Sequence, residues 1–317
     1  MDDNKHRASI YLAGGCFWGM QAYFDKLIGI EDSCVGYANG ICKDTTYQSV
    51  ASTDHAETLL LIFDETKISL KEILLHYFSV IEPESINKQG GDIGRQYRTA
   101  VFYDNEDQLK DIEAVFDLQR KKFPHLAVLL EPLNNFCKAG DYHQNYLQKN
   151  PEGYCHIKTQ PHSTSLLFGE VMVPTDADLK ADLDNTAYKV EVEAKTEAPW
   201  SSPLNNVNEA GIYVDKATGV PLFASQDKFE SGCGWPSFTK PILTDAVSYN
   251  QDLSFNMMRT EVTTKEGDFH LGHVFSDGPV DKGGKRYCIN GAALRFIPLQ
   301  DMESRGYGAY KILVESN

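Results

Sequence analysis

One stretch decides the fold of the first half of the chain: Ser9-Ile10-Tyr11-Leu12-Ala13-Gly14-Gly15-Cys16-Phe17-Trp18-Gly19. Its apolar opening predicts a short strand, and the aromatic residues after the glycine turn predict the start of a helix. Cys16 then lies where backbone N–H groups and the helix dipole favour an anion, which lowers a thiol pKa. This position favours a redox or acyl-transfer cysteine. The alternative is a small buried thiol where a strand joins a helix.

Two aromatic residues follow Cys16 directly. Adjacent helical positions diverge by about 100°, so Phe17 and Trp18 cannot both point into the core. We expect at least one to line a surface pocket, where an aromatic wall suits a methyl or thioether group. A cysteine protease would instead need a partner histidine. Four histidines of this half show no recognisable sequence pairing with Cys16; they are His55, His76, His125 and His143.

Outward from this stretch, short apolar strands alternate with amphipathic helices as far as Ile157, which predicts an α+β or α/β domain. The predicted strands are 9–12, 58–63, 98–103 and 127–130; the predicted helices are 17–27, 70–80 and 106–122. Residues 158–168 lose the periodicity and indicate a connector. Beyond a short helix at 176–183, β runs at 211–214, 220–223, 258–262 and 293–297 predict a mainly β domain.

Size and charge narrow the possible functions. A chain of 317 residues, 42% of them hydrophobic, accommodates about two packed domains. Its 30 Lys and Arg against 45 Asp and Glu give a net charge of −15, which argues against nucleic acid and membrane partners. No apolar run reaches the ~18 residues of a spanning helix, and residues 1–7 are no secretion segment. The odd number of seven cysteines favours a reducing compartment, so we expect a cytoplasmic protein.

Five motifs of the first half, in order, resemble the A-type peptide methionine sulfoxide reductase family. They are GCFWG at residues 15–19, GYANG at 36–40, HAE at 55–57, GGDIGRQYR at 90–98 and DYHQNYLQKNPEGYC at 141–155. The resemblance covers about residues 8–157. It implies that Cys16 attacks the sulfoxide sulfur, that Glu57 protonates the departing oxygen, and that Cys155 is the recycling cysteine. The further implied site residues are Tyr47 and Tyr97 as hydrogen-bond donors, Asp92 as support, and Phe17 and Trp18 as the substrate wall.

The chemistry explains these residue types. Sulfoxide oxygen leaves only once it is protonated, so the carboxyl group must begin neutral, with a raised pKa in an apolar pocket. The attack leaves a sulfenic acid, which condenses with a second thiol to a disulfide. The sequence departs from the family at Asp54, which replaces the glycine of TGHAE, and in a loop before Glu57 that is two residues shorter. Gln21 replaces a frequent glutamate at a position that we expect on the helix surface.

A second motif set resembles the B-type methionine sulfoxide reductase, which has an unrelated fold and reduces the opposite epimer. The motifs are SGCGWPSF at 231–238, FHLGHVF at 269–275, DGP at 277–279 and RYCIN at 286–290, within a match from about Thr175 to Pro298. The resemblance implies that Cys288 is the nucleophile and Cys233 the recycling cysteine. The other implied site residues are His273 and Asn290 at the oxygen, His270 shaping the site, Trp235 at the methyl group, and Arg259 beside acidic groups.

Many B-type members hold a structural zinc in two Cys-x-x-Cys pairs. The four ligand positions correspond to Asp215, Thr218, Thr264 and Gly267, which offer no thiolate. Because a tetrahedral zinc site needs four donors, we expect no metal and no cofactor. Three cysteines match no catalytic position: Cys34, Cys42 and Cys137.

The sequence therefore predicts an α+β domain at residues 1–157, with a mixed sheet and flanking helices in a ferredoxin-like plait. A linker at 158–173 and a mainly β domain at 174–317, with two small antiparallel sheets, follow. The predicted function is reduction of methionine S-sulfoxide by the first domain and R-sulfoxide by the second, free or in proteins, with thioredoxin as reductant. The alternatives are a thiol redox sensor, which needs no sulfoxide pocket, and an acidic interaction protein, which needs no reactive thiol.

Overall fold

The computed structural model describes residues 6–155, 157, 160–161, 166–254 and 257–314. The chain divides into two compact units, Met1–Pro161 and His162–Asn317. In the described ranges, no helix is both long and apolar enough to cross a membrane.

The first unit is built on a six-stranded sheet. Its strands are β1 Arg7–Gly14, β2 Ile30–Ala38, β3 Ala56–Asp64, β6 Thr99–Tyr103, β7 Leu129–Pro132 and β8 Phe136–Lys138; β4 Lys88–Gln89 and β5 Asp92–Ile93 form a separate ladder. The strand order is β7-β6-β1-β3-β2-β8, and only the β6–β7 pair is parallel. The buried Leu59, Leu61 and Phe63 explain why β3 lies inside the sheet.

Four helices accompany this sheet: α1 Phe17–Phe24, α2 Leu70–Val80, α3 Leu109–Lys122 and the short α4 Tyr146–Lys149. Helix α2 begins at Ser69, whose hydroxyl accepts a hydrogen bond from the Glu72 N–H at 3.1 Å. Phe78 of α2 packs edge-to-face on Phe116 of α3, with ring centroids 5.3 Å apart. The predicted α+β class, with a mixed sheet and flanking helices, is confirmed.

Strand register brings the parts of the first site together. Leu12 lies opposite Leu59, so the end of β1 that leads to Cys16 lies beside the start of β3 that carries Glu57. On the other side of β3, Tyr37 lies opposite Glu57. Side chains of opposed residues share a face of the sheet, so Tyr37 and Glu57 face the same way.

The second unit contains two antiparallel sheets. Strands β9 Gly211–Asp215, β10 Pro221–Ala224 and β17 Leu294–Pro298 form the smaller sheet. The larger one has the order β11-β12-β16-β15-β14-β13, with β11 Lys228–Phe229, β12 Ser237–Phe238, β13 Val247–Asp252, β14 Arg259–Thr264, β15 His270–Phe275 and β16 Arg286–Ile289. Among its described residues, short helices include α5 Asp176–Asp182, α6 Asn185–Glu191 and α7 Lys311–Val314. The predicted mainly β class is confirmed.

The predicted linker at 158–173 falls partly on residues 158–159 and 162–165, which lie outside the described residues. Its later part packs on the second unit: Leu167, Phe168 and Val171 contact the hydrophobic core there. The Phe168 ring stacks on Tyr307 at 6.1 Å between centroids. The predicted domain boundaries remain predictions.

Candidate active sites

Cys16 lies between β1 and α1, at the turn that the sequence predicts. Gly15 takes a φ of +82°, which a side chain would oppose, and Cys16 occupies the N-cap of α1. The thiol is buried, with 7% of the residue exposed. The site is therefore enclosed, and it lies where the central strand β1 ends.

Glu57 hydrogen-bonds the first residue of α1. Its carboxyl group accepts a hydrogen bond from the Phe17 N–H at 3.1 Å, and the residue is 2% exposed. Burial raises the pKa of Glu57 to about 8, with a further contribution from the charge of Asp92. The carboxyl group is therefore neutral over most of the physiological range, as an acid for sulfoxide oxygen must be.

The expected low pKa of Cys16 is wrong. Burial and the nearby Glu57 raise the pKa of its thiol to about 12. The backbone N–H groups of Trp18 and Gly19 act in the opposite direction, as the helix-start argument predicts, but burial outweighs them. Cys16 is therefore a protonated thiol at neutral pH and needs a proton acceptor during attack.

Aromatic rings form the wall of this site. Phe17 is buried, whereas Trp18 is half-buried and stacks on Tyr146, with centroids 3.7 Å apart and planes 14° apart. His143 joins the cluster: its ring lies 5.4 Å from Phe17 and 5.0 Å from Tyr47. Neither His143 nor Tyr146 was predicted as a wall residue, although both lie within the motif at 141–155.

Three phenol groups surround the Glu57 carboxyl. Tyr47 and Tyr97 were expected here, and the charge of Glu57 is, after burial, the largest influence that raises the pKa of each. The same holds for Tyr37, whose hydroxyl is buried and lacks a hydrogen-bond partner among the described residues. Tyr37 was not predicted as a site residue; its position in GYANG was the available signal.

Asp92 connects the site to the segment that carries Cys155. The hydroxyl of Tyr154 lies against Gly91 and close to Asp92, whose charge is, after burial, the largest influence that raises the pKa of Tyr154. Cys155 follows directly, half-buried, and its thiol donates to the Ile157 carbonyl at 3.0 Å. The predicted recycling cysteine thus sits next to a residue that already contacts the pocket support.

The substitution at Asp54 has a structural role. Asp54 adopts the left-handed φ of +54°, the conformation that the family's glycine would provide. Its carboxylate accepts two hydrogen bonds from Arg95, at 2.6 and 2.8 Å. This bidentate pair joins the loop before Glu57 to the turn before Tyr97.

The expectation for Gln21 is wrong. Gln21 is 2% exposed rather than on the helix surface. Its amide donates to the Ser33 hydroxyl at 3.0 Å and accepts from the Asn145 N–H at 2.7 Å. An amide side chain both donates and accepts these hydrogen bonds without placing a charge in the interior, which explains why a neutral residue occupies this position.

Cys288 occupies the centre of the second site. On neighbouring strands it lies opposite His273 of β15 and Ser237 of β12. A cavity of about 110 Å³ opens beside it. The cavity is lined by Thr196, Trp235, Arg259, Gly272, His273, Phe275, Cys288 and Asn290. All of these except Thr196, Gly272 and Phe275 were predicted site residues.

The two predicted cysteines of this site are in contact, with Cys233 Sγ 3.3 Å from Cys288 Sγ. Burial opposes ionisation of Cys233, but hydrogen bonds from Ser231 and Ser237 outweigh it and lower its pKa to about 7. Burial and the neighbouring Cys233 raise the pKa of Cys288 to about 12. The first negative charge of the pair therefore resides on Cys233.

The histidines of the second site differ in their surroundings. His273 Nε2 lies 2.8 Å from Asp252 Oδ2, and Arg259 lies 2.6 Å from the same oxygen. His270 is 5% exposed, bonds Glu261 at 2.6 Å and does not line the cavity. His270 therefore lies behind the cavity rather than in its lining, and Arg259 lines the cavity and pairs with Asp252.

Both polar groups of the Asn290 side chain form hydrogen bonds. Its side-chain oxygen accepts from the Glu197 N–H at 3.0 Å, and its NH₂ donates to the Leu271 carbonyl at 3.0 Å. The Glu197 carbonyl accepts from Trp235 Nε1 at 3.2 Å, which fixes the expected methyl wall. Glu197 was not predicted from the sequence.

The four zinc positions carry other interactions. Asp215 accepts hydrogen bonds from the Thr218 N–H and hydroxyl. Thr264 donates to the Glu266 carbonyl at 2.8 Å, and Gly267 offers no side chain. A single carboxylate does not make a tetrahedral N/S donor set, so these residues do not fit zinc. Within the described part of the chain, no group of three or more His, Cys, Asp or Glu is arranged to hold a metal.

The chain matches two known protein families. Residues 8–170, just over half of the chain, match the family described as peptide methionine sulfoxide reductase, and residues 183–298 match the SelR domain. Among solved structures it is similar to Mxr1 from Saccharomyces cerevisiae in reduced form, at 35% identity over 50% of this chain and 95% of that one, with a TM-score of 0.47. Methionine sulfoxide reductase A of Corynebacterium diphtheriae is similar at 26% identity, over 49% and 80%, with a TM-score of 0.45.

Proposed function

Because the chain belongs to the peptide methionine sulfoxide reductase family and joins an A-type to a B-type domain, we propose that each domain works through its own pair of cysteines. The protein is a peptide-methionine (S)-S-oxide reductase and a peptide-methionine (R)-S-oxide reductase in one chain. One observation carries the proposal: each unit places a thiol, buried at Cys16 and half-buried at Cys288, close to a proton-transfer group. The pairs are Cys16 with Glu57 and Cys288 with His273.

In the first domain, Cys16 attacks the sulfur of methionine S-sulfoxide while Glu57 gives its proton to the oxygen. The Cys16 proton replaces the one that Glu57 has lost, so methionine leaves and Cys16 becomes a sulfenic acid. Tyr47 and Tyr97 donate hydrogen bonds to the oxygen. The methyl group packs on Phe17 and Trp18. The raised pKa of Glu57 supports this assignment.

In the second domain, Cys288 reacts in the same way with methionine R-sulfoxide. His273 transfers the proton, Asn290 fixes the floor of the site, and Trp235 forms the methyl wall. Burial lowers the pKa of His273, so its ring is neutral before the reaction and is able to accept the Cys288 proton.

Recycling follows in both domains. Cys155 condenses with the Cys16 sulfenic acid and Cys233 with that of Cys288; each step forms a disulfide and releases water. A dithiol then reduces the disulfide, and we propose thioredoxin as that reductant. The 3.3 Å contact between Cys233 and Cys288 supports the second pairing.

Separated S and R epimers test the proposal, with dithiothreitol as the electron donor. Cys16→Ser should lower S-epimer turnover at least 100-fold and leave R-epimer turnover within twofold, because the sites lie in separate units. Cys288→Ser should do the reverse. Loss of both activities in either variant would contradict the assignment of two autonomous sites.

A further inference from the structure

Asp252 lies beside the second site, although none of the quoted motifs includes it. It ends β13, where Arg259 is its cross-strand partner. Its Oδ2 bonds His273 Nε2 at 2.8 Å and Arg259 at 2.6 Å, and its Oδ1 accepts from the Ser254 N–H at 2.8 Å. Both carboxylate oxygens are thus engaged, and the orientation of the group is fixed by three partners.

These partners decide which His273 nitrogen carries the proton. Hydrogen bonds from Ser254 and His273 and the charge of Arg259 hold the pKa of Asp252 well below its usual range, so the carboxyl group is an acceptor only. His273 Nε2 must therefore be the donor in their bond. In a neutral imidazole this leaves Nδ1 without a hydrogen, available to accept one.

The other charged groups near His273 disfavour its protonated form. Arg259 of β14 and His270 of β15 both lower the pKa of His273, as does burial, and His270 is itself paired with Glu261 of β14. Cys288 of β16 lies opposite His273, and Arg286 of the same strand is paired with Asp277. Among these groups Asp252 alone bonds the imidazole and favours its positive charge.

We propose that Asp252 is a positioning residue for R-sulfoxide reduction: it holds His273 as the Nε2–H tautomer, so that Nδ1 takes the Cys288 proton and passes it to the sulfoxide oxygen. The sulfoxide S–O bond breaks, an S–O bond forms on Cys288, and the proton ends on the sulfenic acid oxygen. No other reactant is consumed in this step. The inference rests on the proposed function of the second domain.

The test measures methionine released from the R epimer in a single turnover, on the full-length protein. Asp252→Asn, which keeps the shape but not the charge, should slow this step at least tenfold with little change in KM. The pH profile of the step should also move to lower pH, because the imidazolium loses its carboxylate. Asp268→Asn, in the turn between β14 and β15, is the matched control and should stay within twofold of wild type.

A double-mutant cycle separates action through His273 from a general structural effect. If Asp252 acts through His273, Asp252→Asn should add less than twofold to the loss caused by His273→Asn. Asp252→Glu, which restores the charge, should recover part of the rate. S-epimer turnover of the same molecules reports the amount of active protein.

The proposal is overturned if Asp252→Asn releases methionine within twofold of the wild-type rate, or if its loss is undiminished in the His273→Asn background. Near-UV circular dichroism identifies a misfolded variant, and in that case the Asp252→Glu rate and its pH profile decide. Absence of R-epimer turnover in the wild-type protein would instead contradict the proposed function itself.

Discussion

Both nucleophilic cysteines are neutral thiols at physiological pH. Burial raises the pKa of Cys16 and of Cys288 to about 12, well above that of a free thiol. A permanent thiolate would react with any accessible oxidant or electrophile. A protonated thiol must transfer its proton to a neighbouring group before it becomes a nucleophile. It therefore reacts mainly when a sulfoxide is bound and can receive that proton. Selectivity for sulfoxide therefore begins with the protonation state of the cysteine.

The pH dependence of the first site follows from Glu57. Its pKa of about 8 means that the proton is present below pH 8 and lost above it. We expect the single-turnover rate for the S epimer to fall as pH rises through about 8. Glu57→Gln should lower the rate at pH 7 at least 50-fold, since an amide donates no proton, and should remove this pH dependence. A rate that rises through pH 8 would indicate that thiolate formation is limiting instead.

At the residue scale, the sequence predicts the position of the reactive residues better than it predicts their pKa values. The sequence correctly places Cys16 at a helix start, because strand, turn and helix signals are local. Burial depends on residues that are distant in sequence. It raises the pKa of Cys16, which was expected to be low, and it places Gln21 in the interior instead of on the helix surface. Asp252 escapes prediction because its role depends on strand pairing across two hairpins.

At the element scale, long amphipathic segments are predicted well. Helix α2 begins and ends at the predicted residues, since its apolar stripe and Ser69 cap agree. Strand β2 was missed because its first half is polar and solvent-facing, and β13 was missed because its side chains are largely exposed at a sheet edge. Their positions depend on neighbours distant in sequence, which periodicity does not reveal.

Helix α6 ends in a buried acid whose ionisation opposes folding. Glu191 is 2% exposed, and burial, followed by the charge of Asp215, raises its pKa to about 9. An acid with a raised folded-state pKa contributes its full stability below the unfolded pKa of about 4.3, and that contribution is lost as pH rises towards 9. Glu191 should therefore lower the stability of the second domain over this range.

Glu191→Gln checks this expectation. The amide is neutral at every pH, so the variant should be more stable than wild type by several kcal/mol, up to about 5 kcal/mol, at pH 8 and nearly equal to it at pH 4. Urea unfolding at both pH values measures the difference, and titrations shared with wild type cancel. Glu193→Gln, exposed two residues away, is the control. An equal effect at pH 4 and pH 8 would assign the change to packing.

At the scale of the whole molecule, the two cysteines proposed for recycling start from different positions. Cys233 already contacts Cys288, whereas Cys155 follows Tyr154, which lies beside Asp92. A disulfide requires Cα atoms about 4.4–6.8 Å apart, so each recycling cysteine must reach that separation from its partner. The two domains therefore share the same proposed cysteine chemistry and differ in how the second thiol reaches the first.

Serine variants of the recycling cysteines compare the two halves under one reductant. Cys155→Ser and Cys233→Ser should each release one methionine per site at the normal rate, then slow thioredoxin-driven turnover of the matching epimer at least tenfold. Dithiothreitol should partly rescue both, because a small thiol attacks the sulfenic acid directly. Unchanged thioredoxin-driven turnover in either variant would refute that cysteine's role, and Cys34, Cys42 or Cys137 would need testing as the partner.

The contact between Cys233 and Cys288 also bears on survival in peroxide. A sulfenic acid that waits for its partner is open to a second equivalent of oxidant, which carries it to the irreversible sulfinic acid. Here the partner is 3.3 Å away before the reaction begins and is ionised near neutral pH. In the proposed mechanism, Cys233 captures the oxidised Cys288 at the high local concentration of an intramolecular reaction, far above that of any dissolved peroxide. This capture should compete with over-oxidation of Cys288 under the oxidative conditions that create its substrate.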